Sequence, residues 1–285
     1  MKRINPNQLS IFDIVLDHSE SPPAPSEVIA RPLEQTAVPP TSNDNLCPYK
    51  IPTVDEIMKF IDRSYYTVDK RKLLSDVVAC GALAISNLVD LTQYDEREEH
   101  YKQIINSYKP KERELIVEIF SKIFALLSSV VYDNGCFGDY LGDIFMRNNM
   151  GTSKKGQFFT PYHIAEMMAR MAIGEKANHE IKDDQILTIS DPCCGSGVMS
   201  LGALDVLKSH GINYTRNCFF DCSDIDLRCV HMTYLQLALA GVPAIIKHQN
   251  TLTLETWSVW KTPAFIFQYH RFNKYDINLQ KEKTA

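Results

Sequence analysis

The eight cysteines of this chain include no C-x-x-C spacing, its apolar residues form no uninterrupted run of about 18, and its charge carries no positive excess. With one adjacent pair, Cys193-Cys194, and no C-x-x-C, a zinc site is not expected. The thiols fall in strand-like and turn-like segments and read as reduced, packed side chains. No segment has the length and composition of a membrane span, and the longest apolar stretch, Val77 to Ile85, reads as part of a core helix. A formal net charge of -5 argues against broad, salt-driven binding to nucleic acid by this chain alone. Lys154-Lys155 and the Arg271 and Lys274 neighbourhood are local basic patches only. The opening Met1-Lys2-Arg3 is basic, yet Asp13 and Asp17 interrupt the apolar run behind it and no small-residue cleavage site appears, so a cytoplasmic location is expected.

What is present divides the 285 residues into four parts. Residues 1–52 hold nine of the fourteen prolines and little periodic apolar pattern, the composition of a disordered tail. Residues 53–135 read as an all-α domain. Thr53-Val54-Asp55-Glu56 is a capping box, and helix-like runs come after it at Ile57 to Asp62, Lys72 to Leu91, Glu96 to Ser107 and Glu112 to Tyr132. Residues 136–272 read as an incomplete α/β domain, and 273–285 as a polar tail.

Within the α/β part, Ile186 to Ile189 is a short apolar strand. It runs into Asp191-Pro192-Cys193-Cys194-Gly195-Ser196-Gly197 and then into a helix-like stretch from Val198. A strand, a glycine turn and a helix start let backbone N–H groups approach an anionic or polar ligand without an intervening side chain. Tight strand-to-helix geometry alone also calls for two glycines. The third glycine of a dinucleotide-binding fingerprint is missing, since Ser200 stands there. Cys218 to Cys222 is a second strand, followed by Ser223-Asp224-Ile225-Asp226 and a helix-like run from Leu227 to Ala240. An acidic residue in that place holds a ribose diol in nucleoside-binding folds, and either aspartate also suits a helix N-cap. Ala244 to Lys247 is a third strand. Three strands alternating with helices predict a parallel, doubly wound sheet.

These residues resemble the adenine-N6 DNA methyltransferases, and most closely the modification subunits of type I restriction systems. The Asp191 to Gly197 run is similar to that family's S-adenosylmethionine loop, with Asp191, Gly195 and Gly197 on its characteristic positions and Cys193 inside it. Upstream, Gly156-Gln157-Phe158-Phe159-Thr160-Pro161 is similar to the family's second cofactor segment. The resemblance runs from Asp139-Tyr140-Leu141-Gly142-Asp143 to about Leu252. It implies a class I methyltransferase-like sheet, S-adenosylmethionine as cofactor, and contacts from Gln157, Phe158, Phe159, Thr160, Asp191, Cys193, Gly195, Gly197, Asp224 and Asn250. Asp224 would hold the ribose with Asp226 in support. Asn250 stands where the family usually has aspartate near the adenine, and its amide offers both a donor and an acceptor. Thr160 and Pro161 suit a helix start, with Ile164, Met167, Met168 and Met171 forming one apolar face expected to pack in the core.

One family element is missing. Adenine's exocyclic amine is a poor nucleophile, and these enzymes flip the base against an Asn/Asp-Pro-Pro-aromatic tetrad that accepts the amine's hydrogen bonds and stacks the ring. No such tetrad occurs; the only Pro-Pro pairs are Pro22-Pro23 and Pro39-Pro40. In its place Ala264 to Phe267 reads as a fourth strand leading to Gln268 and Tyr269, the candidate amine acceptor and stacking face. Thr262-Pro263-Ala264-Phe265 is a second, imperfect echo. The resemblance implies a seven-stranded sheet, and Asn273 to Ala285 is too short to complete one. Two readings are open: an enzyme methylating adenine N6 in DNA, with a specificity or completing subunit, or a catalytically deficient cofactor-binding or assembly subunit. The helical domain is similar in placement to the block preceding the catalytic domain in type I modification subunits. Gln8-Leu9-Ser10-Ile11-Phe12 resembles the pentapeptide that docks bacterial proteins on the sliding clamp, and also suits a hydrophobic anchor folding back on its own chain.

Overall fold

The computed structural model describes residues 51–64, 68–132, 137–148, 159–173 and 186–276, and Pro52–Ala285 form one compact unit. The Pro-rich tail with Gln8 to Phe12, the expected contact residues Gln157 and Phe158, and residues 277–285 lie outside the described residues.

The capping box predicted from the sequence opens α1 (Val54–Ser64): Thr53 N–H donates to Glu56 Oε2 at 2.9 Å, and Glu56 N–H donates to Thr53 Oγ1 at 3.2 Å. Asp69 caps α2 (Lys70–Val89) through the Lys72 N–H. By length and composition α2 is apolar enough to cross a membrane, yet 61% of its apolar window is buried inside this protein. It is the core helix expected from Val77 to Ile85. Against it pack α3 (Tyr94–Asn106) and α4 (Pro110–Tyr132), and α5 (Tyr140–Arg147) follows, meeting α1. A Cβ on Gly81 would collide with the Phe120 ring at 2.1 Å, so α2 packs tightly on α4.

Next come α6 (Tyr162–Ile173), β1 (Leu187–Asp191), α7 (Val198–Ser209), the short α8 (Tyr214–Asn217), β2 (Cys218–Asp224), α9 (Leu227–Leu239) and β3 (Ala244–Asn250). β4 (Glu255–Lys261), α10 (Pro263–Phe267) and α11 (Tyr269–Phe272) end the described chain, with a single 3-10 turn at Asn273–Tyr275. The four strands form one sheet in the order β1-β2-β3-β4.

Two expectations change here. The sheet is mixed, because β1, β2 and β3 are parallel while β4 returns antiparallel to β3. The fourth strand is Glu255–Lys261, and Ala264 to Phe267 belongs to α10. The cause is a hairpin at Asn250. Its Oδ1 accepts from Leu252 N–H at 3.0 Å and Thr253 N–H at 3.3 Å, its carbonyl accepts from Leu254 N–H at 2.7 Å, and Leu254 takes a left-handed φ of 61°. Pro263 then fits the first helical position after Thr262, which ends the strand.

Strand alternation sends Cys222 toward Ser200 of α7 (3.4 Å) and Trp260 toward His231 and Tyr234 of α9. On the opposite face Phe219 and Ile245 cluster with Phe265 and Phe272 from α10 and α11. Asn273 to Asp276, assigned from sequence to the polar tail, pack here too: Tyr275 stacks on Phe219, and buried Asp276 pairs with Lys261 at 2.7 Å.

α6 also differs from expectation. Its buried residues are Ala165 and Ala169, while Met167, Met168 and Met171 are exposed. The alanine face lies against α7 so closely that a Cβ on Gly202 would meet the Ala165 and Glu166 backbone at 2.9 Å. Only small residues permit that approach, so the methionines turn outward.

Buried Arg97 joins the helices to the sheet. Its guanidinium donates to Ser86 Oγ, to Asp90 Oδ2 at 3.2 Å and to the Val259 carbonyl of β4 at 2.7 Å, and it lies 4.2 Å over the Trp260 ring. Removing one partner of a buried ion pair strands the other charge. Arg97→Ala is therefore expected to cost about 3–5 kcal/mol in urea unfolding, and adding Asp90→Ala should recover part of that loss. Strictly additive losses would show that the two do not act as a pair.

Candidate functional site

β1 delivers Asp191 to the carboxyl end of the sheet, and the chain then turns through two left-handed glycines, Gly195 (φ 56°) and Gly197 (φ 96°), into α7. Those angles disfavour side chains by sterics alone. The turn is fastened to the end of β2. Cys194 N–H donates to the Ser223 carbonyl at 2.9 Å, and Gly195 N–H donates to Asp224 Oδ2 at 2.9 Å. The second oxygen of Asp224 accepts the Asp226 N–H at 2.8 Å. One carboxylate thus fixes the turn after β1 and the turn after β2 together. Ser223 and Thr251 hydroxyls donate to the Pro192 carbonyl at 3.1 and 2.5 Å, adding the end of β3 to the same set.

Asp191 is held differently. Its Oδ1 accepts only the Cys193 N–H at 3.3 Å, and its Oδ2 is buried with no hydrogen-bond partner among the described residues. Burial pushes its carboxyl above the ordinary carboxylate range, partly offset by the Cys193 N–H, and the nearby Asp224 charge pushes the same way as burial. An unpartnered buried carboxylate oxygen is costly unless a donor meets it.

The structure brings together several residues singled out from the sequence. Phe159 reaches the turn: a Cβ at Gly195 would lie 3.3 Å from its ring. Asp191, Cys193, Gly195, Gly197, Asp224 and Asn250 all stand at the carboxyl ends of β1, β2 and β3, and half-buried Thr160 follows Phe159 just before α6. The Cys193 thiol is exposed while Cys194 is buried. Asp226 takes the helix-capping alternative. It accepts the Arg228 N–H at 3.0 Å and the guanidinium of Arg228 at 2.6 Å. Asn250 spends its amide oxygen on the hairpin turn, which leaves its NH2 as the group to offer.

Gln268 and Tyr269 are not brought to this turn. Gln268 Nε2 donates to the Thr215 carbonyl at 2.9 Å and Tyr269 hydroxyl donates to Asp276 at 3.2 Å. Thr215 lies just before β2, so these residues sit at the amino end of the parallel strands. The antiparallel run of β4 carries the chain back there, with Lys261 opposite Ile245 and Asn250 opposite Glu255.

Sequence reading missed the support behind the turn. Buried Gln236 of α9 donates to the Ser196 carbonyl at 2.7 Å and to Asp139 Oδ1 at 2.9 Å, and its own carbonyl accepts the Leu141 N–H at 3.3 Å. Ser196 hydroxyl donates to Asp139 Oδ2 at 2.5 Å, and Gly142 N–H to Oδ1 at 3.0 Å. Burial raises the Asp139 carboxyl, and its hydrogen bonds from Ser196, Gln236 and Gly142 work against that rise. A glutamine in the middle of the apolar Leu227–Leu239 helix was the available signal.

A family model described as N-6 DNA methylase matches residues 133–283. The chain belongs to the N-6 DNA methylase family. Among solved structures it is similar to the type I restriction-modification system methyltransferase subunit from Streptococcus thermophilus, at 18% identity and a TM-score of 0.38, over 74% of this chain and 42% of that one. The chain thus spans less than half the length of that subunit. No curated protein matches it.

The turn's geometry can be tested by contrasting two left-handed glycines. Gly211 (φ 72°) has nothing within 4 Å of an added Cβ, whereas at Gly197 the Cβ would meet Thr233 Oγ1 at 3.1 Å. Gly211→Ala should cost roughly 1–2 kcal/mol of strain and Gly197→Ala distinctly more in thermal or urea melts. Equal costs would show that the α7–α9 contact at Gly197 is not tight.

Proposed function

We propose that this chain holds S-adenosylmethionine in an adenine-N6 DNA methyltransferase, on a class I-like, doubly wound sheet of which the described strands form part. The observation that carries the reading is the Asp191 to Gly197 turn, with an unpartnered buried oxygen on Asp191 and a backbone opened by two left-handed glycines and clamped by Asp224.

The residues fit that cofactor. A primary ammonium group would satisfy Asp191 Oδ2 and compensate a carboxylate whose charged form burial disfavours. Each oxygen of Asp224 already accepts one N–H and keeps a lone pair for a ribose hydroxyl. Ile225, exposed between the two aspartates, and the Asn250 amide offer an apolar face and a donor for a purine. Phe159 closes the turn from the other side, with Gln157, Phe158 and Thr160 of the same segment and Cys193 of the turn completing the proposed contacts. When bound, S-adenosylmethionine supplies an electrophilic methyl group. The protein groups named here bind and orient; none of them moves a proton.

The acceptor side is a separate matter. The chain contains no Asn/Asp-Pro-Pro-aromatic tetrad, and Gln268 and Tyr269 are engaged elsewhere. We therefore place the base-holding groups outside these 285 residues, with sequence choice on DNA left to a specificity subunit. The alternative, a catalytically deficient cofactor-binding or assembly subunit, predicts no methyl transfer under any condition, even where the cofactor binds.

Calorimetric titration with S-adenosylmethionine, followed by a methyl-transfer assay on DNA, tests this. Asp224→Ala should weaken binding by about 2–4 kcal/mol and Asp226→Ala clearly less. Because the Asp191 carboxyl is raised and only its charged form pairs with an ammonium, affinity should fall as pH drops through that carboxyl's range. Asp191→Asn should bind weakly with a flatter pH dependence. The chain alone should methylate DNA slowly or not at all, and Gln268→Ala with Tyr269→Ala should leave cofactor binding intact. Unchanged affinity in Asp191→Asn and Asp224→Ala would remove the cofactor assignment. Robust methylation by these 285 residues alone would remove the need for base-holding groups outside them.

A further inference from the structure

A cavity of about 490 Å³ lies between α3 and the β3–β4 hairpin, and no residue of the Asp191 to Gly197 turn lines it. Residues of one stripe of α3, Gln93 just before it and then Glu96, His100 and Gln103, line one wall at spacings of three and four, with Glu99 beside them. Such a stripe is apolar where a helix packs on a sheet; here it is polar and faces an aromatic floor. The floor is Trp257, Trp260 and His248. These two indoles are the chain's only tryptophans.

Trp257 reaches the cavity through a break in the strand. His248 pairs with Ser258 and Gln249 with Thr256, so Trp257 is the extra residue of a β-bulge. A bulge re-aims a side chain that strict alternation would send to the opposite face. Trp257 thereby joins Ser258 and Trp260 at the cavity. It is 47% exposed, rests against His248 at 4.7 Å, and its Nε1 donates to Glu255 at 3.1 Å.

The charge of the cavity is negative. Arg97 is committed to Asp90, Ser86 and the Val259 carbonyl, so its charge is answered within the protein. Glu96 and Glu99 are both exposed at the opening. Among the described residues no group of three His, Cys, Asp or Glu side chains is placed to hold a metal ion. Acidic groups above an open indole suit a planar organic cation, and Trp260 already carries one guanidinium, that of Arg97, at 4.2 Å. DNA phosphates are repelled by the same carboxylates.

We propose that this cavity binds a guanidinium group, stacked on Trp257 and paired with Glu96 and Glu99. The group comes from a small free guanidine or from an arginine side chain of another protein. The inference is independent of the cofactor reading, since it uses none of the residues of the glycine turn.

Both tryptophans line the cavity, so intrinsic fluorescence of the full chain reports it directly. Agmatine and the peptide acetyl-Gly-Arg-Gly-amide would be titrated beside acetyl-Gly-Lys-Gly-amide, with calorimetry as a second readout. The expected result is a saturable emission change with both guanidinium probes and at least fivefold weaker response to the lysine peptide. Glu96→Gln with Glu99→Gln, and separately Trp257→Ala, should weaken binding by at least tenfold in calorimetry while leaving the melting curve in place, since all three positions are exposed. Tighter binding of the arginine peptide than of agmatine would identify a protein partner as the source; equal or tighter agmatine binding would identify a small guanidine. No saturable change with either probe, equal response to lysine, or binding unaffected by the variants would overturn the proposal.

Discussion

The candidate site depends on a single carboxylate. Asp224 accepts the Gly195 N–H at 2.9 Å with one oxygen and the Asp226 N–H at 2.8 Å with the other. The turns after β1 and β2 are therefore one rigid body. Charge-assisted hydrogen bonds to backbone are among the stronger local restraints a fold can use. This one holds a left-handed glycine turn whose buried Cys194 and Ser196 pack beneath it. The residue proposed to bind a ribose is also the residue that holds the two turns together, so its two roles are joined in any variant.

A second layer stands behind that clamp. Asp139, Ser196 and Gln236 bond one another beneath the turn, tying the start of α5 to α9 and to the loop. Their burial makes each a liability if one partner is lost, and complete pairing makes the assembly specific. Farther out, Arg97 does similar work between the helices and β4, with Asp90 as its counter-charge. The molecule is polar at its joints and apolar between them: α2, β2 and α9 bury side chains on nearly every side.

The elements with strong local signals were legible in the sequence. The Thr53–Glu56 box, the Val77–Ile85 core helix, the glycine turn and the three parallel strands arise from capping chemistry, hydrophobic runs and backbone sterics that act within a few residues. The features that were not legible depend on contacts distant in sequence. The Met167, Met168 and Met171 stripe looks like a core face, yet backbone proximity at Gly202 selects the alanines instead. Asn250 reads as a ligand-facing amide, and its oxygen is spent on a hairpin that reverses the next strand. That reversal places Gln268 and Tyr269 at the far end of the sheet from the glycine turn. Both segments proposed to hold the cofactor were visible in the sequence, but their meeting, Phe159 against Gly195, is a tertiary fact.

The proposed activity asks little chemistry of this chain and much geometry. A methyl donor is already activated, so its holder must fix orientation, and orientation here comes from the Asp191 and Asp224 ends of adjacent strands. The most direct measurement is amide hydrogen exchange on the full chain with and without S-adenosylmethionine. The account predicts added protection concentrated at Cys193 to Gly197 and at Ile225 to Asp226, with the α3–β4 cavity unchanged. Protection absent from the glycine turn, or located chiefly elsewhere while the ligand binds, would contradict it.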